Sequence, residues 1–260
     1  MPPRGLKKFL VDSAPGKLVK RGKFSGYRAI GRDGKAEGPM LSGITKLLHS
    51  RLYSDGQMDD AAIKSTEYRG GPWKGEGGGI RRGKAVDSQV SRLSGVGAGK
   101  RNSSSKFKMT TLAFSALNAA GLEPLTGQRV VINRTLGLGT AADIVCYRKT
   151  DNSIVVVELK TGYSGNRTLP AVSKTRSVCK LEAPCSSATD CFLHRHLAQL
   201  TATRHMMATE GGFLKTLSDR FQINSVNGVL LYACDRDTAL HTLDQWWVKR
   251  GKAIVNTISN

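Results

Sequence analysis

The sequence predicts an α/β fold in which helices cover a central sheet. Three runs rich in β-branched and aromatic residues follow one another closely, over 129–133, 140–147 and 153–159. The last run contains Ile154 to Val157, which is apolar on both faces. A strand without a polar face is typical of the middle of a sheet with other elements on both sides. A further buried strand is expected over 226–232, so helices must form the outer layers.

The helices are predicted by apolar residues that recur every three or four positions along the chain. This pattern occurs over 41–52, 80–93, 107–120, 190–209 and 237–258. Gly121 follows the third of these segments, where a glycine commonly ends a helix. The expected order is helix, three antiparallel strands, helix and a further strand, preceded by an N-terminal helical and basic extension.

The charge of the chain favours a polyanionic partner. Its 40 Lys and Arg against 20 Asp and Glu give a net charge of +20. Such a charge favours nucleic acid as the partner. The alternatives are a basic tail that serves solubility or targeting, and a protein that binds an acidic membrane surface. No apolar run is long enough to span a bilayer, so we expect no membrane protein.

The charge is spread unevenly, which suggests a division of the chain. Residues 1–110 carry 23 Lys and Arg against 9 Asp and Glu, a net +14, whereas the rest carries +6. We expect a basic flexible arm over 1–38, because this segment is rich in Gly, Lys and Arg. A helical extension and a Gly-rich loop should follow over 39–79, with six glycines and a proline at 69–79. The main folded domain is expected over 80–260.

The cysteine content indicates a reducing, intracellular compartment. Five cysteines are an odd number in a chain large enough to fold without disulfides. The first residues lack the apolar stretch of a secretory signal, while nucleus, organelle and virus remain open. Cys179, Cys185 and Cys191, followed by His194 and His196, allow a metal site. Their wide spacing favours a loop with incidental cysteines instead.

The sharpest pattern is Asp143 followed fifteen residues later by Glu158-Leu159-Lys160. Side chains alternate across a strand, so Glu158 and Lys160 share one face while Leu159 points into the opposite layer. One carboxylate and one amine are therefore presented together. The alternative is a strand-end ion pair that serves only the fold.

The expected register brings the second carboxylate to the first. If the hairpin closes through 149–152, Arg148 pairs with Ser153, and counting outwards places Asp143 opposite Glu158. Two carboxylates this close need a shared proton or a cation.

A hard dication with oxygen ligands suits such a pair. Mg²⁺ or Mn²⁺ would be held by Asp143, Glu158 and the backbone carbonyl of Leu159, together with waters and a substrate phosphate. Such an ion can acidify a bound water and neutralise developing charge. Lys160 would position or deprotonate the attacking water.

These residues resemble a known signature. Gly139-Thr140-Ala141-Ala142-Asp143 with Glu158-Leu159-Lys160 is similar to the motif of the PD-(D/E)XK nuclease superfamily, with Ala142 in place of the usual proline. The resemblance implies a restriction-endonuclease-like core over 80–260, in which Asp143 and Glu158 bind the metal and Lys160 serves the hydrolytic water.

Two further segments resemble the RecB-like, lambda-exonuclease-like branch. The run from Arg82 to Asp87 is similar to its first helix motif and would bring Asp87 to the metal, although the usual His is missing. The run from His196 to Leu200 is similar to its later helix motif and implies a catalytic role for Gln199 near the substrate. Arg82, His196 and Arg204 would then contact nucleic acid.

The implied function is a metal-dependent nuclease that hydrolyses DNA, with exonuclease action in replication, recombination or repair preferred. The alternatives are an inactive nuclease fold that binds or packages nucleic acid, and a structure-specific or restriction-type endonuclease. Strand polarity, DNA or RNA preference, sequence specificity and oligomeric state stay open.

Overall fold

The computed structural model describes residues 1–21, 24–31, 33–55, 78–95, 107–162 and 167–259. These residues form a mixed α/β fold. Its helices are α1 Leu6–Asp12, α2 Ile44–Arg51, α3 Gly78–Ser94, α4 Lys108–Ala119, α5 Phe192–Thr209, α6 Phe213–Phe221 and α7 Gln245–Ser259. Its strands are β1 Gly16–Arg21, β2 Phe24–Ile30, β3 Ala36–Gly43, β4 Leu122–Asn133, β5 Leu138–Arg148, β6 Ser153–Thr161, β7 Val226–Ala233 and β8 Thr238–Thr242.

The eight strands of the described residues belong to one sheet, in which β5 pairs with three other strands, β3, β4 and β6. On one edge, β5 pairs along most of its length with β4 in antiparallel orientation. On the other edge, it pairs first with the end of β3, at Leu138 and Gly139, and then with β6, from Ile144 to Arg148. Residues 140–143 lie between these two pairings. A cleft therefore opens on this edge of β5.

The sheet is covered on both faces, as the doubly apolar run in β6 predicts. One layer contains α1, α2, α5, α6 and α7, which pack on side chains such as Val145, Val156 and Leu230. The other contains α3 and α4, which pack on Ile144, Val155 and others. Alternate residues of β6 thus enter different cores, which fixes its register because a slip of one residue would exchange its two faces.

The predicted hairpin register is observed. The β5–β6 ladder pairs Arg148 with Ser153 and continues to Ile144 opposite Val157. β7 then runs parallel to β6, with Glu158 beside Leu230 and Lys160 beside Tyr232. The chain reaches β7 through α5 and α6, because parallel neighbours need a long crossover connection.

The described part of 1–38 has regular secondary structure, whereas composition predicts a flexible arm there. The described part of 1–38 contains α1, β1, β2 and the start of β3, and these three strands extend the sheet. Leu6 and Leu10, one helical turn apart, are fully buried in the main core. The prediction used the Gly, Lys and Arg content of 1–38, which does not record strand pairing or the burial of two leucines.

Other differences are smaller. Helix α6 and the short edge strand β8 were not predicted, and β8 occupies the start of the segment expected to be helical from 237. Of the predicted Gly-rich loop at 69–79, residues 69–77 lie outside the described residues, while Gly78 and Gly79 begin α3. Within the described ranges, no helix combines the length and apolar character that crossing a bilayer requires.

A buried ion pair attaches α1 to the rest of the molecule. Arg129 of β4 contacts Glu210, at 2.9 Å, and donates to the carbonyl oxygens of Leu10 and Ser13. The Arg129 side chain is 1% exposed and that of Glu210 is 10% exposed. Burial raises the pKa of Glu210 to about 7, although the guanidinium of Arg129 lowers it. Removing this carboxylate from water therefore costs more than its partner returns.

This raised pKa predicts a pH-dependent stability. The folded protein holds a proton on Glu210 up to about pH 7, whereas the ordinary pKa is 4.5. The contribution is therefore complete below pH 4.5 and is lost as the pH rises through 7. Between those limits we expect the free energy of unfolding of the wild type to fall by about 3 kcal/mol more than that of Glu210→Gln. Urea unfolding at a series of pH values measures this, and parallel pH profiles for the two proteins would contradict it.

Candidate active site

The cleft beside β5 is the mouth of a cavity of about 700 Å³. Its walls come from α3, from the N-terminal strands and α2, from α5, and from the facing parts of β4, β5 and β6. It is lined by Tyr27, Thr45, Gly79, Ile80, Gly83, Lys84, Asp87, Gln128, Thr140, Ala141, Asp143, Glu158, Leu159, Lys160, Thr161, Phe192 and Gln199. Asp143, Glu158 and Lys160 therefore line the same cavity as Asp87 and Gln199, which come from the two predicted helix motifs.

Asp143 lies where β5 loses its regular alternation. Ala142 and Val145 pack in the same core, whereas Ile144 packs in the other. Opposite Asp143 on β4 is Gln128, whose φ of 51° is in the left-handed region that a residue with a side chain rarely adopts. Strained backbone of this kind occurs at functional sites. The distortion turns the Asp143 side chain into the cavity.

The same distortion changes the expected pairing of the acids. The main-chain ladder between β5 and β6 ends at Ile144 and Val157, one residue before Asp143 would pair with Glu158. Beyond this point the Leu159 N–H donates to Asp143 Oδ2, at 2.8 Å. A carboxylate thus replaces the main-chain acceptor, and it is held at the base of the cavity.

Glu158 is fixed by two donors on one of its oxygens. Lys160 Nζ donates to Glu158 Oε1 at 2.7 Å, and Gln199 Nε2 donates to the same oxygen at 2.6 Å. Lys160 also donates to Gln199 Oε1 at 3.1 Å, which closes a triangle of three side chains from β6 and α5. The other oxygen, Glu158 Oε2, is buried and has no hydrogen-bond partner among the described residues.

The electrostatics of the cavity reflect this crowding. Burial raises the pKa of Asp143 well above its usual range, and the charges of Glu158 and Asp87 raise it further, against the opposing effect of Lys160. Burial also raises the pKa of Asp87, followed by the effect of Glu158. Tyr27 has a raised pKa from burial and then from Asp143 and Glu158. A cation among the acids would reverse these effects.

The donor set fits a hard divalent cation. The unpaired Glu158 oxygen and the Asp143 carboxylate are oxygen donors, and Leu159 borders the cavity between them while its side chain packs in the α3–α4 core. Among the residues that the structure describes, no three His, Cys, Asp or Glu side chains gather closely enough to hold a metal without other ligands. Magnesium commonly takes one or two carboxylates and completes its shell with water and phosphate, so two suffice.

No protein-family model matches this chain, and no curated protein matches it.

Asp87 reaches the margin of the site from α3. The Gln128 amide lies between it and Asp143, with Nε2 3.3 Å from Asp87 Oδ2 and 3.4 Å from Asp143 Oδ1. Gly83, one turn earlier, lets α3 approach β6, since a Cβ there would lie 2.8 Å from Thr161 Oγ1. The glycine thereby brings Asp87 to the cavity.

The structure gives the three predicted nucleic-acid contacts other partners. Arg82 forms a bidentate ion pair with Asp235, and its side chain is 12% exposed. His196 Nδ1 shares a hydrogen bond with the Tyr232 hydroxyl, and burial lowers its pKa well below the usual range.

Arg204 donates to the Val226 carbonyl oxygen at 2.7 Å. Val226 lies beside Ile154, which is about 13 Å along β6 from Glu158. Helix α5 therefore carries Gln199 into the cavity but Arg204 to the far end of the sheet.

The cysteines of the 179–191 segment form no metal group among the described residues. Cys185 and Cys191 are buried, and Cys191 lies beside His194, where it raises the pKa of the imidazole.

Sequence reasoning did not single out Gln128, Tyr27, Thr45 or Phe192 as site residues. A signal existed for the first, because Gly127 precedes it just before a predicted strand, and such a glycine often marks a bulge or a close approach. The others come from elements whose position depends on the sheet, so spacing carries no trace of them.

The close approach at Gly83 predicts a compensating pair of substitutions. The Cβ of Gly83→Ala meets the Thr161 hydroxyl, so α3 must move away from β6 or Thr161 must change its rotamer, and we expect a loss of about 1–3 kcal/mol of stability. In Gly83→Ala/Thr161→Ala the hydroxyl is absent, and most of this loss should be recovered. Urea unfolding of both single variants and the double variant measures the coupling. Strictly additive effects would mean that the two residues do not press on each other.

Proposed function

We propose that this protein is a nuclease that hydrolyses DNA phosphodiester bonds with Mg²⁺ or Mn²⁺. One observation carries the proposal. Glu158 Oε2 is buried without a partner in the described structure, beside a second buried carboxylate, Asp143, whose pKa it raises. A pair of buried carboxylates that is only partly compensated is costly unless a cation joins it.

Asp143, Glu158 and the Leu159 carbonyl would hold the ion, with Asp87 at the margin. When bound, such an ion supplies Lewis acidity towards a phosphate and lowers the pKa of a water. Glu158 Oε1 is already engaged by Lys160 and Gln199, so Oε2 is the oxygen left for this role. The two oxygens of Glu158 thus differ in their contacts, which supports the assignment of Oε2 to the ion.

Lys160 and Gln199 act as a unit on the attacking water and the scissile phosphate. Gln199 accepts from Lys160 and donates to Glu158, which keeps the ammonium at the carboxylate edge. From there the Lys160 ammonium can donate an N–H to the attacking water. Its partner Gln199 is therefore proposed as a positioning residue that acts through Lys160.

The order of elements around the site supports a restriction-endonuclease-like core. Helix α4 precedes the antiparallel strands β4, β5 and β6, and α5 follows before β7 joins β6 in parallel. In this order Asp143 lies on the second strand of the three and Glu158 on the third. These positions agree with the resemblance to the PD-(D/E)XK superfamily.

The net charge of +20 supports DNA as the substrate, since a basic surface attracts phosphates over about a Debye length. Exonuclease action remains the preferred mode, because Gln199 occupies the position that the RecB-like helix motif implies. Linear and circular substrates distinguish it from endonuclease action, since only an endonuclease opens a closed circle.

Cleavage assays test the assigned roles. We expect Glu158→Gln and Lys160→Ala each to lower the rate of DNA cleavage by at least about 100-fold. Binding to the same DNA, measured by fluorescence anisotropy with Ca²⁺, should change little, because most affinity comes from phosphate contacts elsewhere.

Two exposed residues of the same types provide the controls. Glu123→Gln and Lys149→Ala carry the same changes outside the cavity and should cleave at the wild-type rate. Full activity in Glu158→Gln or Lys160→Ala would exclude the assigned roles. A wild type that cleaves neither DNA nor RNA with either ion would leave a protein that only binds nucleic acid.

Thermal unfolding tests whether the ion binds at these residues, without any substrate. Mn²⁺ at 100 times its dissociation constant should stabilise the folded protein by about 2.7 kcal/mol, because it binds only the folded state. Glu158→Gln and Asp143→Asn should lose most of this gain, whereas Glu123→Gln should keep it. An equal shift of the melting temperature in all four proteins would place the ion elsewhere.

A further inference from the structure

The N-terminal strands form one wall of the candidate active site. Tyr27 of β2 and Thr45 of α2 line the cavity that contains Asp143 and Glu158. These residues come from the segment that extends the sheet beyond the proposed nuclease core. The wall exists because β3 pairs with β5 at Leu138 and Gly139, just before the catalytic part of that strand.

Tyr27 is wedged into this wall. An added Cβ at Gly139 would lie 2.5 Å from the Tyr27 Cβ and 2.6 Å from its Cγ, so β5 can pass only because it carries a glycine there. In the pairing of β2 with β3, Tyr27 lies opposite Leu41, which is buried. Packing therefore fixes the base of the ring, and Tyr27 lines the cavity.

The phenol lies in the field of the acids. Its pKa is raised by burial and next by Asp143 and Glu158, so the hydroxyl stays neutral. A neutral ring beside the carboxylates is not a charge partner for them. Its large flat surface suits a base or a sugar of the bound substrate instead.

Apolar groups also line the facing walls. Ile80 of α3 is 65% exposed, and Phe192 at the start of α5 lines the same cavity while its ring stacks on His196. The volume of about 700 Å³ is that of a pocket that encloses a small molecule, the size class of a nucleotide. A duplex keeps its bases stacked and paired, so their faces cannot reach such walls. An unpaired strand offers both base faces.

We propose that the substrate enters this cavity as an unpaired strand and that Tyr27, from the N-terminal wall, stacks on a nucleotide next to the scissile phosphate. Lys84, exposed on α3 at the cavity rim, contacts a phosphate of the same strand. This inference rests on the proposed nuclease function and narrows its substrate to single strands, or to duplex ends that have been separated.

Competing substrates test the inference. Three DNAs of one sequence are compared with Mn²⁺: a single strand, a blunt duplex and a duplex with two unpaired arms. We expect the wild type to cleave the single strand and the unpaired arms, with kcat/KM at least about tenfold above that of the blunt duplex.

Substitutions of Tyr27 test the stacking itself. Tyr27→Leu should raise KM for the single strand by about tenfold, with a smaller change in kcat. Tyr27→Phe keeps the ring face and should retain most of the affinity. Phe192→Leu, on the facing wall and away from Gly139, gives a second measurement should Tyr27→Leu fail to fold. Val11→Ala, exposed on α1 outside the cavity, is the control.

Binding separates this inference from the proposed function. Anisotropy with Ca²⁺ in place of Mn²⁺ compares single-stranded and blunt DNA for each variant, whether or not the protein cleaves. A wild type that binds single strands more tightly but cleaves nothing would overturn the nuclease and keep the inference. Two results would overturn the inference alone. One is a wild type that binds and cleaves blunt duplex and single strand equally. The other is that Tyr27→Leu and Phe192→Leu both bind single strands as tightly as the wild type does.

Discussion

The candidate site depends on one electrostatic constraint, which is the burial of two acidic side chains close to each other. Asp143 and Glu158 come from neighbouring strands, and the charge of Glu158 raises the pKa of Asp143. Each acid has some compensation: Leu159 donates to one, and Lys160 and Gln199 donate to the other. The described structure leaves one oxygen without any. A site that is incompletely compensated in this way is suited to a cation, because the favourable interaction is reserved for the bound state.

The cleft that holds the acids results from how the sheet is built. β5 carries two strands in succession on one edge, and the interval between β3 and β6 is left for the cavity. Within this interval, both β4 and β5 depart from regular geometry at Gln128 and Asp143. As a result Asp143 accepts from the Leu159 main-chain N–H, and its side chain lines the cavity.

Arg129 and Glu210 form a second place where a buried carboxylate is only partly compensated, since Arg129 Nε and Glu210 Oε2 have no hydrogen-bond partner among the described residues. That buried pair joins opposite charges at 2.9 Å, adds two main-chain acceptors, and fastens α1 to the sheet. Even so, burial raises the pKa of Glu210 to about 7. The acids of the cavity face a similar loss of hydration beside like charges. The same cost of burying a carboxylate thus applies to the pair that attaches α1 and to the acids of the candidate site.

Several parts of the structure could be predicted because they depend on local periodicity and on short-range pairing. The alternation in β6, the hairpin register with β5 and the helix that carries Gln199 all follow from residues close together in the chain. Tertiary structure alone decided the rest. Only the assembled sheet places Tyr27 beside Asp143, orders the N-terminal strands and diverts Arg204 to a distant carbonyl. Contacts between residues far apart in sequence are fixed by packing, and neither composition nor spacing records them.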